Sequence, residues 1–305
     1  MNILVTNPYH PDSLLDLQKK FTVTQAHNKS EFINLLPNAT AILIRSKTKI
    51  DSKLLITAKK LKYITTATSG LDHIDLNYCE QNNIEVFNPK EINSISAAEH
   101  SFALLLALAK KICTSEKLVK SHKWRDGLDR GIDLSGKTIG LIGIGRVGTK
   151  VARMAQSFNM TVQAYDPYKT PEHFRSHNIN SNSTLEELIK TSDVISIHTP
   201  LTNETKYILN MNNLKLAKPN VILINTSRGK CINEMDLIQS LKNNIIKAAG
   251  LDVFENEPLS QESLLTQLDN VLLSPHTGAY TEEAFKNASF ECTQWLQAKL
   301  NLINS

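Results

Sequence analysis

Residues 138–148 read Thr138-Ile139-Gly140-Leu141-Ile142-Gly143-Ile144-Gly145-Arg146-Val147-Gly148, and this stretch decides the fold. Its first five residues form a short apolar run of strand type. A GxGxxG pattern follows at Gly143, Gly145 and Gly148, and a helix opens at Thr149-Lys150-Val151-Ala152-Arg153-Met154. A second strand-like run, Thr161–Tyr165, ends in Asp166, 23 residues after Gly143. Glycines at this spacing occur in many turns. A preceding strand, a following helix and an acid at the end of the next strand together specify a dinucleotide-binding βαβ unit. Gly143 permits the tight turn, Gly145 lets the backbone approach a pyrophosphate, and Gly148 lets the helix pack close to the strand. Unpaired N–H groups at the helix start favour the phosphates. Arg146 and Val147 complete the candidate contacts of this turn. Asp166 would accept both hydrogen bonds of an adenosine ribose diol and repel a 2′-phosphate, which favours NAD over NADP.

Working outward, strands at Thr138–Ile142, Thr161–Tyr165, Val194–His198, Val221–Asn225, Ala248–Leu251 and Val271–Leu273 alternate with helices such as Leu185–Lys190 and Glu234–Asn243. Six such strands fit one doubly wound parallel sheet. Before them, strands at Ile3–Thr6, Ala41–Ile44, Lys62–Thr65 and Glu85–Phe87 alternate with helices at Pro11–Lys20, Lys29–Leu35 and Asp51–Ala58, a second α/β series. One long apolar helix, about Ser94 to Lys120, joins the two; such a helix is buried on several sides, as at a domain or subunit interface. Residues Thr281 to Leu300 read as a final amphipathic helix.

A length of 305 residues exceeds the usual size of one core and suggests two domains. Lys and Arg number 34 against 30 Asp and Glu, a balance too even, and too scattered, for nucleic acid. The N-terminus has no basic leader, and the longest apolar run, Phe102 to Ala109, is too short to span a bilayer. Cys79, Cys113, Cys231 and Cys292 are far apart with no CxxC, as in reduced thiols of a cytoplasmic protein without a structural metal.

Three strand ends carry chemistry. Val221–Asn225 runs into Thr226-Ser227-Arg228, Ala248–Leu251 into Asp252 and then Glu257, and Val271–Leu273 into Ser274-Pro275-His276. Ligands of open parallel sheets bind beyond the strands' carboxyl ends. A cation, a carboxylate and an imidazole would therefore converge beside the cofactor, with Thr226 as a further candidate contact.

These motifs resemble the D-isomer-specific 2-hydroxyacid dehydrogenases, over nearly the whole chain and most densely from Gly136 to Ala284. Within that family the chain is most similar to the 3-phosphoglycerate dehydrogenases, through Arg45-Ser46-Lys47-Thr48-Lys49, Met154-Ala155-Gln156-Ser157-Phe158 and Ser274-Pro275-His276-Thr277-Gly278-Ala279. The resemblance implies two α/β domains, Rossmann-like and flavodoxin-like doubly wound parallel sheets, with the active site in the cleft between them. Residues 1–94 plus 282–305 would form the substrate domain and residues 95–281 the NAD-binding domain. It assigns Arg228, Glu257 and His276 as the catalytic trio and Asp252 to the nicotinamide carboxamide. His198-Thr199-Pro200 would cover the cofactor. Ser69 and Gly70 would receive the substrate carboxylate, and Arg228 and His276 would also touch the substrate. It implies NAD as cofactor, a small anionic 2-oxo or 2-hydroxy acid as substrate, and a homodimer built on the long helix, with no membrane or nucleic-acid partner. Because the chain stops at Ser305, feedback through a C-terminal regulatory domain is not expected. Relatives usually carry Gly where Asn159 stands; Asn tolerates the left-handed region.

In this picture Arg228 grips the carboxylate and polarises the carbonyl, His276 donates the proton, and Glu257 orients His276. Arg45, Lys47 and Lys49, alternate residues after a strand, would face a distal phosphate such as that of 3-phosphohydroxypyruvate. If only Arg45 touches ligand, glyoxylate or hydroxypyruvate reduction fits as well. Rival readings are an NAD(H)-sensing corepressor-like protein and a formate-dehydrogenase-like enzyme; the latter pairs its His with Gln, where Glu257 stands.

Overall fold

Branched and apolar residues with little side-chain polarity make the strands, and parallel pairing buries them on both faces. The computed structural model describes residues 1–304; Ser305, assigned by sequence to the first unit, lies outside the described residues. The chain divides into two units, one of Met1–Asn93 with the C-terminal stretch from Tyr280, the other Ser94–Ala279.

The first unit is a five-stranded parallel sheet of β1 (Asn2–Val5), β2 (Thr22–Gln25), β3 (Ala41–Ile44), β4 (Tyr63–Thr66) and β5 (Glu85–Phe87), in the order β2-β1-β3-β4-β5. All four residues of β3 and of β4 are buried. The final helix, Glu282–Asn304, places Ala288, Cys292, Leu296 and Leu300 four residues apart on one stripe, against Ile3, Val5, Leu43 and Tyr63. Trp295 of this helix stacks on Phe87 at 4.9 Å between ring centroids.

The second unit is a seven-stranded parallel sheet: β6 (Thr138–Ile142), β7 (Thr161–Tyr165), β8 (Asn180–Ser181), β9 (Val194–Ile197), β10 (Ile222–Asn225), β11 (Ala248–Leu251) and β12 (Val271–Leu273), ordered β12-β11-β10-β9-β6-β7-β8. The chain builds outward from β6 to β8, then returns to pair β9 with the other side of β6. The order reverses there, which is the switch point where such sheets bind ligands. Asn159 takes φ +56° in the turn before β7.

Two strands went unseen in sequence. β2 (Thr-Val-Thr-Gln) and β8 are polar edge strands with mostly exposed residues. The expected single helix from Ser94 to Lys120 is also corrected: it is two helices, Ser94–Ala109 and Ile112–Lys120, broken where Lys111 takes φ +58°. The returning chain supplies the reason. Ile132 N donates to the Ala109 carbonyl at 2.8 Å, and Gly131 packs so close that an added Cβ would lie 2.6 Å from that oxygen. No helix among the described residues is long and apolar enough to cross a membrane. Cys79, Cys113, Cys231 and Cys292 are free thiols.

Candidate active site

Every singled-out residue of the second unit follows the carboxyl end of a strand. The turn after β6 is shaped by its glycines. Gly143 takes φ +89°, and a Cβ there would lie 2.8 Å from Thr199 Cγ2 and 3.0 Å from His198 O. At Gly148 a Cβ would lie 2.3 Å from the Gly143 carbonyl oxygen, so helix and turn close only on glycine. Gly145 differs: a Cβ there would meet no protein atom within 4 Å. The space over Gly145 is open, a cradle for a phosphate that needs close backbone approach. Val147 packs its side chain on the core, leaving only its backbone for a ligand, and Arg146 is exposed.

Asp166, at the end of β7, accepts from Ile144 N at 3.0 Å and from Tyr168 N at 3.1 Å. These bonds fix the carboxylate against the glycine turn, where it retains lone pairs for a ribose diol. After β9, His198 Nε2 meets Ser196 Oγ at 2.9 Å, and burial pushes its pKa down to about 3, so the ring stays neutral. Thr199 lies on Gly143, and Pro200 O accepts from Thr205 Oγ1 at 2.6 Å. The residues thus fit a dinucleotide, with the turn for pyrophosphate and Asp166 for ribose.

The other half of the sheet holds the charged trio. Asn225 ends β10 and is buried. Its Oδ1 accepts from Ser227 N and Ser227 Oγ, and its Nδ2 donates to Arg228 O at 3.0 Å, which sets the loop carrying Arg228. Thr226 Oγ1 pairs with Ser101 Oγ at 2.6 Å. Gly229 then presses on the neighbouring loop, since a Cβ there would lie 1.9 Å from Phe254 C. Phe254 N in turn donates to Glu257 Oε1 at 3.1 Å, and Glu257 Oε2 pairs with His276 Nδ1 at 2.6 Å. A continuous chain of contacts therefore links the Arg228 loop to the Glu257–His276 pair. The Glu257–Pro258 peptide is cis.

His276 sits at φ +54°, an uncommon region for a side chain this large. Asp252 stabilises that turn. Its backbone oxygen accepts from His276 N at 2.9 Å; its carboxylate accepts from Ser274 Oγ (2.6 Å), Thr277 N (2.8 Å) and Gly278 N (2.7 Å). His100 Nε2 adds contacts to Ser274 Oγ at 2.9 Å and Asp252 Oδ1 at 3.3 Å. Sequence reasoning missed this brace, in which Asp252 is 1% exposed. The signal available was a lone His100 and Ser101 among apolar residues of a buried helix.

Electrostatics follow. The hydrogen bond to Glu257 raises the His276 pKa, with burial pulling the other way. For Glu257, burial alone would raise the carboxyl. Hydrogen bonds from His276 and Phe254 N–H, with the charges of His276 and Arg228, hold it below the usual range instead. The pair is thus a carboxylate and an imidazole biased toward imidazolium, half-exposed to solvent.

In the first unit, Ser69 and Gly70 follow β4. Asn88 Nδ2 donates to Ser69 O at 2.8 Å and to Thr68 O at 3.2 Å, and Thr68 Oγ1 donates to Gly70 O at 2.9 Å. Arg45, after β3, is half-buried with its guanidinium 5.2 Å from the Phe285 ring centroid, and its Nη1 is buried without a hydrogen-bond partner. Burial lowers its pKa. Lys47 and Lys49 are exposed, so the three cations do not share one environment.

Comparison with known proteins agrees in family. The family model "D-isomer specific 2-hydroxyacid dehydrogenase, NAD binding domain" matches residues 102–278. The chain is 39% identical to a D-3-phosphoglycerate dehydrogenase of Methanocaldococcus jannaschii over 94% of its own length and 55% of that protein's. It is 36% identical to a hydroxypyruvate reductase of Thermotoga maritima, over 95% of its own length and 94% of the relative's. The chain thus spans about half the length of the phosphoglycerate dehydrogenases it matches. Among solved structures, a D-lactate dehydrogenase of Aquifex aeolicus complexed with NAD and lactic acid superposes with a TM-score of 0.87. Identity is 30%, with 98% of this chain and 96% of that one covered.

Proposed function

We propose, from the premise that the chain belongs to the D-isomer-specific 2-hydroxyacid dehydrogenase family, that it is an NAD-dependent oxidoreductase of D-2-hydroxy acids, closest in activity to D-3-phosphoglycerate dehydrogenase. The observation that carries this reading is the 2.6 Å pairing of His276 with Glu257, tied by packing to the loop of Arg228. Bound NAD(H) supplies or takes the hydride at C2 of the acid. In reduction, Arg228 binds the carboxylate and polarises the 2-oxo group; a planar guanidinium can serve both in fixed geometry. His276 gives the proton held on its Nε2 to the forming hydroxyl, while Glu257 keeps Nδ1 occupied and stabilises the imidazolium. In oxidation the same nitrogen takes the proton back. Gly143, Gly145, Arg146, Val147, Gly148 and Asp166 hold the adenosine and pyrophosphate portions of the cofactor, with His198, Thr199, Pro200 and Thr226 covering it. Asp252 shapes the His276 turn and is the candidate contact for the carboxamide.

The substrate assignment rests on Arg45. Its buried guanidinium nitrogen has no hydrogen-bond partner, which is costly to leave so, and an anion bound against Arg45 would supply one. We assign it the distal phosphate of 3-phosphohydroxypyruvate, with Ser69 and Gly70 receiving the carboxylate. The test is NADH oxidation across a panel of 2-oxo acids. 3-Phosphohydroxypyruvate should exceed hydroxypyruvate in kcat/KM, and Arg45→Ala should remove most of that advantage while sparing glyoxylate reduction. A wild-type preference for hydroxypyruvate or glyoxylate makes the protein a hydroxypyruvate or glyoxylate reductase instead, the activity named for the Thermotoga relative. Turnover with none of the panel would favour a cofactor-sensing role.

The assembly is proposed to be a homodimer. The helix Ile112–Lys120 has no buried residue, and Ile112, Val119 and the nearby Trp124 are 57%, 56% and 70% exposed. An apolar surface of this kind suits a second copy of the chain. Sedimentation equilibrium should return twice the chain mass of 34.1 kDa; a monomer at working concentration would refute the dimer. Free thiols at all four cysteines accord with a cytoplasmic setting.

A further inference from the structure

The loop after β1, Thr6-Asn7-Pro8-Tyr9-His10-Pro11, carries two prolines. Each fixes its own φ and presses the residue before it into extended backbone, so the loop is stiff. His10 accordingly takes φ −59° and ψ 127°. β1 and β3 are neighbours in the sheet, which brings this loop against the one that carries Arg45. The contacts fall on a single peptide bond, Ile44–Arg45. Its N–H, on Arg45, donates to Asn7 Oδ1 at 2.8 Å, and its carbonyl, on Ile44, accepts from Tyr9 Oη at 3.0 Å. Thr48 Oγ1 donates to the same Asn7 oxygen at 2.9 Å, and Thr48 N donates to Arg45 O at 3.1 Å, closing the turn Arg45-Ser46-Lys47-Thr48. A hydroxyl has one proton, and Thr48 spends it on Asn7, so Thr6 Oγ1 is the donor in its 2.7 Å contact with Thr48 Oγ1. His10 N donates to Ser289 Oγ at 3.1 Å on the final helix, whose Phe285 ring centroid lies 5.2 Å from the Arg45 guanidinium.

Hydrogen bonds at both ends of one peptide plane resist its rotation, and the Arg45 side chain starts from that plane. Tyr9 is buried, and burial pushes its phenol well above the ordinary tyrosine pKa, so it keeps its proton and remains a donor. We propose that Asn7, Tyr9 and Thr48 are positioning residues for substrate selection. They fix the backbone from which Arg45 presents its guanidinium to the distal anionic group of the substrate. The proposal rests on the assignment of Arg45 to that group. Guanidinium contacts with an anion are directional, so the aim of the side chain decides how many N–H bonds form at once. Without the clamp the turn is free to rotate and the guanidinium is aimed for a smaller share of the time. The distal group does not react, so the loss falls on binding of the acid and not on the chemical step.

The test measures, on the full chain, the ratio of kcat/KM for 3-phosphohydroxypyruvate to kcat/KM for glyoxylate, which has no distal group. A partly unfolded sample lowers both alike and leaves the ratio unmoved, so the ratio reports selection and not folding. Asn7→Ala and Thr48→Val should each lower it by roughly three- to tenfold, the worth of about one hydrogen bond, with the change in KM for 3-phosphohydroxypyruvate. Thr48→Ser keeps the hydroxyl and should stay within about twofold of the wild type. In an Arg45→Ala background, Thr48→Val should lower the ratio no further, because the side chain it aims is gone. The positioning claim is overturned if Asn7→Ala and Thr48→Val leave the ratio unchanged while Arg45→Ala lowers it. It is also overturned if Thr48→Ser falls as far as Thr48→Val, or if Thr48→Val acts equally with and without Arg45. A ratio that Arg45→Ala itself does not move overturns the substrate assignment of Arg45, and the positioning claim with it.

Discussion

At the carboxyl end of β6 the candidate working groups are backbone, whereas at the ends of β10, β11 and β12 they are side chains. The contrast shows in two glycines. A Cβ on Gly145 would meet no protein atom within 4 Å, while a Cβ on Gly229 would lie 1.9 Å from Phe254 C. One glycine keeps space clear for a ligand; the other lets two loops of the protein touch. The nucleotide half is a shape left open. The half proposed to be catalytic is filled so that Arg228, Glu257 and His276, drawn from three strand ends, hold one geometry. Preorganisation on that half comes from Asn225 and Asp252, whose side chains take up the hydrogen-bonding capacity of the loops.

The largest expected effect lies on the catalytic half. His276→Ala should lower turnover by roughly 10²–10⁴, the usual worth of general acid–base catalysis, with NADH affinity unchanged. Steady-state kinetics and calorimetry on the same sample read both. A matched fall in NADH affinity would break the division of labour between the halves.

The paired glycine substitutions come next. Gly229→Ala should cost roughly 1–3 kcal/mol of stability as overpacking, seen as a lower Tm, because backbone atoms of Phe254 must move. Gly145→Ala should leave Tm unchanged and weaken NADH binding by about tenfold or more, since the methyl occupies the ligand's space. If Gly145→Ala destabilises as much as Gly229→Ala, the open cradle is not what distinguishes them.

Legibility in sequence follows the same divide. The glycine turn and Asp166 lie on one contiguous βαβ stretch, so the glycines, the flanking strand and helix and the terminal acid could be read together as a dinucleotide unit, and with it the doubly wound sheet. β6, β7, β9, β10 and β11 showed as apolar runs because central parallel strands are buried on both faces, while β12, a half-buried edge strand of three residues, showed by its run Val-Leu-Leu. β8, with two residues, and β2, with the polar run Thr-Val-Thr-Gln, bury little at their sheet edges and left no hydrophobic signal. The break at Lys111 was invisible because a distant residue, Ile132, captures the helix end. For the candidate site, the residue types and strand ends were readable. The brace of His100, Ser274 and Asp252 was not, since it joins residues 174 apart through a buried carboxylate. Nor could sequence separate Arg45 from Lys47 and Lys49, because alternation in a loop does not fix burial.

The central claim is that Glu257 holds His276 as the proton donor of a 2-oxo acid reductase, and the pH dependence of kcat/KM for reduction tests it most directly. Reduction needs imidazolium, so the rate should be level at low pH and fall as pH rises through a His276 pKa lying above the ordinary imidazole value. Oxidation of the 2-hydroxy acid should show the mirror image, rising through the same pKa. Glu257 stays ionised over this range, since its carboxyl is held low. In Glu257→Gln the imidazolium loses its anionic partner, and the account predicts that both limbs move to lower pH. Identical pH profiles for wild type and Glu257→Gln would contradict it.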